Sequence, residues 1–394
     1  MARIAFFTER LPPGNDSISE FSYELIRSLA DQQHHIHVFS TYREGADLPP
    51  SHPRIEIARP FRKWGWLELP RLVPLLMEFR PELIHLIQPR AEAMEGFTSA
   101  MSAIPNMGAL LGRPAIVSSF YDFREDELRR HRALLLASHA VTVSNQTQKD
   151  VLERFLMETP LSRSPKIIVL PVPSAGVKTH DENSETPALS ELLPDALENF
   201  LETNDSIIFV AGDIGDHREP AKLFSAVAEV LSKFPHSRVV FGGGWGRIPS
   251  KARPILMRIF EEADLGARVF ITGPLTANNE RRCLARARLA FTVSLPPESL
   301  SLARILREAL EVSTPLLMSE EQARIDALGW RHAENALFTT STPEGWSKSL
   351  ADALASDELI RSIRSRLPEF TRSEAVDQPG NVMSRVYTSL LEAR

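Results

Sequence analysis

The chain has 394 residues, 43% hydrophobic and 24% charged, a length beyond one ordinary core that implies two domains. Lys+Arg 45 against Asp+Glu 51 gives a net charge of −6, which excludes a global basic field drawing the protein to nucleic acid. Cys283 is the sole cysteine, so no disulfide closes within the chain, in keeping with a reducing compartment.

The opening "MARIAFFTERLPPGND" carries an apolar stretch of about five residues, short of the roughly 7–15 of a secretory signal. No window approaches the ~18 apolar residues of a membrane span. The expected location is the cytoplasm.

Short apolar runs alternate with helical periodicity. "RIAFFTE" (Arg3–Glu9) reads as a buried strand, followed by a helical stripe of Ile18, Phe21, Leu25, Ile26 and Leu29. Further strands are expected at "IHVFS" (Ile36–Ser40), "RIEIA" (Arg54–Ala58), "LIHLI" (Leu83–Ile87), "PAIVSSF" (Pro114–Phe120), "AVTVS" (Ala140–Ser144) and "KIIVLP" (Lys166–Pro171). Strand–helix repetition of this kind implies a parallel sheet covered on both faces. Ser174–Asp205 then turns polar and acidic, with Pro187 and Pro194, and reads as a linker or insertion holding a short helix.

The alternation restarts with "SIIFVAG" (Ser206–Gly212), "SRVVFGGG" (Ser237–Gly244), "ARVFITG" (Ala267–Gly273), "LAFTVS" (Leu289–Ser294) and "TPLLMS" (Thr314–Ser319). Lys222–Phe234 reads as a helix with Leu223, Phe224, Val227, Val230 and Leu231 on one stripe. The expected fold is α/β, with two Rossmann-like, doubly wound parallel-sheet domains facing across a cleft. Ligands in such sheets bind outside the carboxyl ends of the strands. The domains are placed at 1–173 and 206–368, with a linker at 174–205. Val382, Val386, Leu390 and Leu391 form a last helical stripe in 369–394, which either extends the second domain or returns to the first.

The order of these elements, with "PELIHLIQP", "AVTVSNQTQKDVLERF", "GGGWGR", "VFITG" and "ARLAFTVSLPPESLSLARILREALEVSTPLL", resembles the retaining nucleotide-sugar glycosyltransferases of the GT-B fold, in particular the large family 4. The resemblance spans nearly the whole chain, and it implies that the last helix crosses back to the first domain. In that family two glutamates about eight residues apart flank the start of a helix. One contacts the donor sugar and the other holds the ribose hydroxyls. The residues implied here are Glu298 as the catalytic, sugar-contacting acid and Glu308 as the ribose acid, set ten apart rather than eight. Carboxylates suit both tasks, because they accept charge-assisted hydrogen bonds. The helix mouth between them offers free N–H groups to a diphosphate, with Ser299 or Ser301 able to cap it. Without the resemblance, Glu298 reads as a solvated loop acid and Glu308 as an exposed helix position beside Arg304 and Arg307.

Further donor contacts are implied at Gly14 and Asn15 in the first loop, at Arg218 and Lys222, and at Gly243 and Gly244 in the glycine run. Acceptor-side positions are implied at His85, Tyr121 and Asp122. The chain departs from its relatives in three places. Asp213 stands where the family has an arginine, and Arg218 where it has a lysine. The glycine pair of the first loop is replaced by "GND". Phe120 takes the place of a histidine. Read without the family, "GND" is a plain strand-to-helix turn capped by Asp16 or Ser17, and Arg218 is a solvated loop cation. Tyr121 and Asp122 are then the polar end of a buried strand.

His35 and His37 share a strand face but have no cysteine and only Asp31 nearby, so no metal is expected. "FRKWGWLELPRL" (Phe61–Leu72) mixes cations with Trp64 and Trp66. It suits an acidic bilayer or lipid-linked acceptor, or else an amphipathic helix start. The implied activity is sugar transfer from a nucleotide-sugar to a glycan or lipid-linked acceptor, retaining, without metal or cofactor, with peripheral contact at the inner membrane face. The alternative is a GT-B module that binds a sugar nucleotide or a partner without turnover.

Overall fold

A computed structural model of the chain describes residues 1–9, 11, 17–41, 51–61, 67, 69–88, 112–121, 123, 128–158, 164–170, 193–202, 205–246, 248, 252–273, 275–296, 300–325, 329–373 and 379–393. It divides into two units, Met1–Pro173 with Val376–Arg394, and Ser174–Ala375.

In the first unit the described elements are β1 (Arg3–Phe7), α1 (Ser17–Asp31), β2 (His35–Thr41), β3 (Ile55–Phe61), α2 (Leu69–Phe79), β4 (Leu83–Ile87), β5 (Ala115–Phe120), α3 (Arg132–Ala137), β6 (Ala140–Val143), α4 (Gln146–Glu158) and β7 (Lys166–Val169). The strands form one parallel sheet in the order β3-β2-β1-β4-β5-β6-β7. β4 and β5 are buried along their whole length. Helices cover both faces, so these strands are continuous apolar runs rather than alternating ones.

The second unit holds α5 (Asp195–Leu201), β8 (Ser206–Ala211), α6 (Pro220–Lys233), β9 (Ser237–Gly242), α7 (Ala252–Glu262), β10 (Val269–Ile271), α8 (Ala277–Arg286), β11 (Leu289–Phe291), α9 (Leu300–Glu311), β12 (Leu316–Ser319), α10 (Glu320–Ile325), β13 (Leu337–Thr339), α11 (Pro343–Ala355) and α12 (Asp357–Ser373). Its parallel sheet runs β10-β9-β8-β11-β12-β13. β13 is an edge strand of three residues, too short for any periodicity to announce it. α6 starts two residues before the expected Lys222, because Pro220 has the preset φ that suits a first helical position. The short helix α5, within the polar stretch after the first sheet, buries Leu197 and Leu201 in the second unit's core.

The last helix, α13 (Pro379–Glu392), packs on α1 of the first unit. Gly380 permits the contact: a Cβ there would stand 1.9 Å from Ser28 Oγ. Gln32 Nε2 donates to Asn381 Oδ1 at 3.0 Å, and His34 Nε2 meets Ser384 Oγ at 3.1 Å. No described helix is long and apolar enough to cross a membrane.

Candidate functional site

In each sheet the strand order reverses at one point, between β1 and β4 in the first unit and between β8 and β11 in the second. The carboxyl edge at such a reversal is where open α/β sheets bind ligands.

At the second unit's reversal, β8 is followed by Gly212, whose φ of 86° favours glycine, and whose Cβ would meet Leu295 Cδ2 at 3.0 Å. Asp213 follows. Its Oδ1 accepts the Gly244 N–H at 2.6 Å. Ile214 N–H donates to Gly244 O at 2.9 Å and Gly215 N–H to Trp245 O at 3.0 Å. A Cβ on Gly243 would stand 2.7 Å from Asp213 Oδ1. Gly243 and Gly246 are therefore glycine because Asp213 sits against them, and Gly242 because the Phe209 ring does. Asp213 spends its charge on an internal amide, and that Gly244 amide is not open to a phosphate.

His217 and Ser294 join the two strand ends. His217 Nδ1 lies 2.6 Å from Ser294 Oγ, and Arg218 N–H donates to Ser294 O at 3.0 Å. His217 is buried, and its Nε2 meets no hydrogen-bond partner among the described residues. Desolvation pushes its pKa down to about 3, so the ring is neutral at physiological pH. Arg218 is half exposed and reaches Glu321 at 3.4 Å. Lys222, in the first turn of α6, is also half exposed and pairs with Glu219. Two cations thus stand beside the reversal, each with an acid attached.

Gln322 fixes the loop after β11. Its Nε2 donates to Thr292 O at 2.8 Å and Leu295 O at 2.9 Å, and its Oε1 accepts the Ser319 N–H at 2.9 Å. Ser319 Oγ in turn accepts the Gln322 N–H at 3.1 Å. This is a reciprocal capping box at the start of α10.

Glu308 is fully buried on α9 rather than exposed, one alternative the bare sequence offered. Arg304 Nη1 holds it at 3.0 Å and also holds Glu280 of α8, itself 2% exposed. Two buried acids thus share one guanidinium. Ser301 lies in the first turn of α9. Gly14, Asn15, Glu298, Ser299 and Asp122, with Asp16, Trp64 and Trp66, lie outside the described residues.

In the first unit His85 and Tyr121 are brought together, but in the core. His85 Nδ1 meets Tyr387 Oη at 2.5 Å and Nε2 meets Ser119 Oγ at 2.6 Å; Ser119 Oγ meets Thr142 Oγ1 at 2.6 Å, and Thr142 meets Tyr121 Oη at 3.2 Å. Both nitrogens of His85 are engaged, its ring is fully buried, and burial holds its pKa down at about 3. Both side chains bond inward, and this polar chain ties α13 to three neighbouring strands.

His217, Ser294 and Gln322 went unread in the sequence. A signal existed for one of them: "SEEQ", Ser319–Gln322, carries the spacing of a capping box. For His217 and Ser294 no local signal exists, because the pair forms only when β8 and β11 lie side by side.

No family model matches the chain. No curated protein matches it. Solved structures match it end to end. Sucrose-phosphate synthase of Thermosynechococcus elongatus aligns at a TM-score of 0.67 and 15% identity, covering 100% of both chains. The fold is GT-B. HepE of Anabaena, solved with UDP-glucose, aligns with this GT-B chain at 0.65 and 15% identity, again covering 100% of both. WaaG, a glycosyltransferase of lipopolysaccharide biosynthesis, aligns at 0.60 and 14% identity, covering 98% of this chain and 99% of its own. At such identities the likeness to other GT-B proteins is one of fold, which hosts more than one chemistry.

Proposed function

We propose that this chain is a glycosyltransferase whose nucleotide-sugar donor binds at the β8/β11 edge of the second unit. The observation that carries this is the end-to-end structural likeness to HepE, which was solved with UDP-glucose. It is supported by the cluster at the same unit's strand reversal. There Arg218 and Lys222 supply positive charge for a diphosphate. Glu308 is read as the ribose acid. Glu298 is read as the acid beside the donor sugar.

The chemistry proposed is departure of the diphosphate, stabilised by Arg218, Lys222 and backbone amides instead of by a side-chain nucleophile. Salt screens the attraction of these exposed cations for a diphosphate, so donor affinity falls as salt rises. Retention of configuration, absence of a metal requirement, a glycan or lipid-linked acceptor, and a cytoplasmic site with peripheral membrane contact belong to the same reading. They rest on the resemblance alone.

The second reading, binding without turnover, is favoured by one observation: Asp213 already holds the Gly244 amide. Calorimetric titration with UDP, GDP and ADP, followed by incubation with the matching sugar nucleotides in EDTA, separates the two. Saturable binding with donor hydrolysis supports the transferase. Binding with no turnover supports the module. The absence of binding by every nucleotide rejects both.

A further inference from the structure

Arg304 of α9 stands between two buried acids. Its Nη1 donates to Glu308 Oε1 at 3.0 Å, one helical turn further on, and to Glu280 Oε2 of α8. The three side chains, in the order Arg304, Glu308, Glu280, are 15%, 0% and 2% exposed. A terminal guanidinium nitrogen carries two N–H bonds, so each acid takes one. Glu280 has a second hold on its charge. It lies in the first turn of α8, whose Thr276 cap accepts the Asn279 N–H at 3.3 Å, and a helix N-terminus favours negative charge.

These charges are not needed to fasten α8 to α9. Cys283 and Leu284 of α8 share one apolar core with Ile305, Leu306 and Ala309 of α9. Thr314, just after α9, donates from Oγ1 to Leu284 O at 2.6 Å, and Arg281 pairs with Glu311 at 3.0 Å. Buried ion pairs are poor fasteners in any case, because desolvation offsets much of their attraction. The second acid has a use if Glu308 must move. Glu308 is wholly covered, so its carboxylate has to turn from Arg304 to meet a ribose. A guanidinium with one buried partner resists losing it, since that strands a charge. Arg304 keeps Glu280 when Glu308 turns away, and no charge is stranded.

We propose that Arg304 and Glu280 are positioning residues for the donor nucleotide: Arg304 orients Glu308, and Glu280 holds Arg304 while Glu308 turns to the ribose hydroxyls. The inference rests on the reading of Glu308 as the ribose acid and adds the pair that governs it.

The test is calorimetric titration of the full chain with UDP, GDP and ADP, and with the 2′,3′-dideoxy form of whichever binds most tightly. The wild type should prefer the parent nucleotide about tenfold or more, the worth of a hydrogen bond to a charged group. Glu280→Gln keeps the shape but gives Arg304 a weaker partner, so Arg304 holds Glu308 back. The parent nucleotide should then bind about tenfold more weakly, with the dideoxy form bound as by wild type. Glu280→Met combined with Arg304→Met exchanges the pair for apolar side chains, a replacement that folds tolerate. It removes the orienting contact and should lose the same preference, and it decides the matter should Glu280→Gln fail to fold. Glu311→Gln, which loosens the neighbouring pair, should keep the preference. An undiminished preference in Glu280→Gln or in the double variant would overturn the inference. So would equal weakening of both nucleotides, the mark of a merely structural role, or a lost preference in Glu311→Gln. A wild type that binds both forms equally would remove the ribose role of Glu308 and this inference with it, leaving the donor site in place. Absence of binding by all three nucleotides would remove the donor reading as well.

Discussion

Tyr387 and His85 lie 302 positions apart in sequence and meet at 2.5 Å through Oη and Nδ1. The last helix is thereby fastened to the fourth strand in the core of the first unit. Tyr387→Phe keeps the ring and removes only the hydroxyl, which leaves one buried His85 nitrogen unmatched. The expected loss is about 1–3 kcal/mol of stability, read as a lower urea midpoint with an unchanged slope. An unshifted midpoint would show that the contact contributes nothing to the fold.

Burial predicts an acid-sensitive fold. His85 and His217 have pKa values pushed down to about 3 and His131 to about 4, each from 6.5, with desolvation the leading cause. Groups with depressed folded values bind more protons when unfolded. Their stabilisation is complete above pH 6.5 and is lost as pH falls towards the folded values. At pH 5 each imidazole should have withdrawn about 2 kcal/mol. Urea unfolding at pH 7.5 and pH 5 checks this. His217→Gln should flatten the difference, and a variant as acid-sensitive as wild type would refute its share.

Much of the architecture was legible because parallel strands covered on both faces must be apolar runs, and runs such as Leu83–Ile87 and Ala115–Phe120 have no other comfortable place. β13 was not legible, since three residues carry no period. The sites were legible only where chemistry follows local spacing. Arg218 and Lys222 could be placed on a helix entry from sequence. Asp213 stood out only as a departure from the family's arginine, yet it is a clasp on Gly244, a relation between loops that only strand pairing creates.

Gln322 is expected to be a costly polar side chain of the second unit to truncate. Gln322→Leu keeps approximate volume but strips the Thr292 and Leu295 carbonyls and the Ser319 amide of their partner. A loss of about 3 kcal/mol follows. Because the same loop presents Ser294 to His217, UDP affinity should fall with it. A destabilised variant that binds UDP as wild type would separate the loop from the nucleotide site.

Glu308 carries two separable roles. Glu308→Ala takes from Arg304 one of its two buried acids, and breaking a buried pair of this kind costs about 3–5 kcal/mol. Glu308→Gln keeps the shape and an acceptor for Arg304. If the carboxylate also holds a ribose, the Gln variant should still fold but bind UDP about tenfold more weakly. Equal UDP affinity in a folded Glu308→Gln protein would assign the residue to structure alone.

Asp213 separates charge from clasp in the same way. Asp213→Asn retains an oxygen for the Gly244 N–H, so the loop stays in place while the negative charge goes. Asp213→Ala removes both, and should destabilise the second unit by about 1.5–3 kcal/mol, the range for a hydrogen bond to a charged group. At a solvated distance of a few ångströms, one unit of repulsion is worth about 1 kcal/mol. Asp213→Asn should therefore bind UDP about fivefold more tightly than wild type, with the gain shrinking in high salt. Unchanged affinity in Asp213→Asn would mean that its charge does not reach the diphosphate.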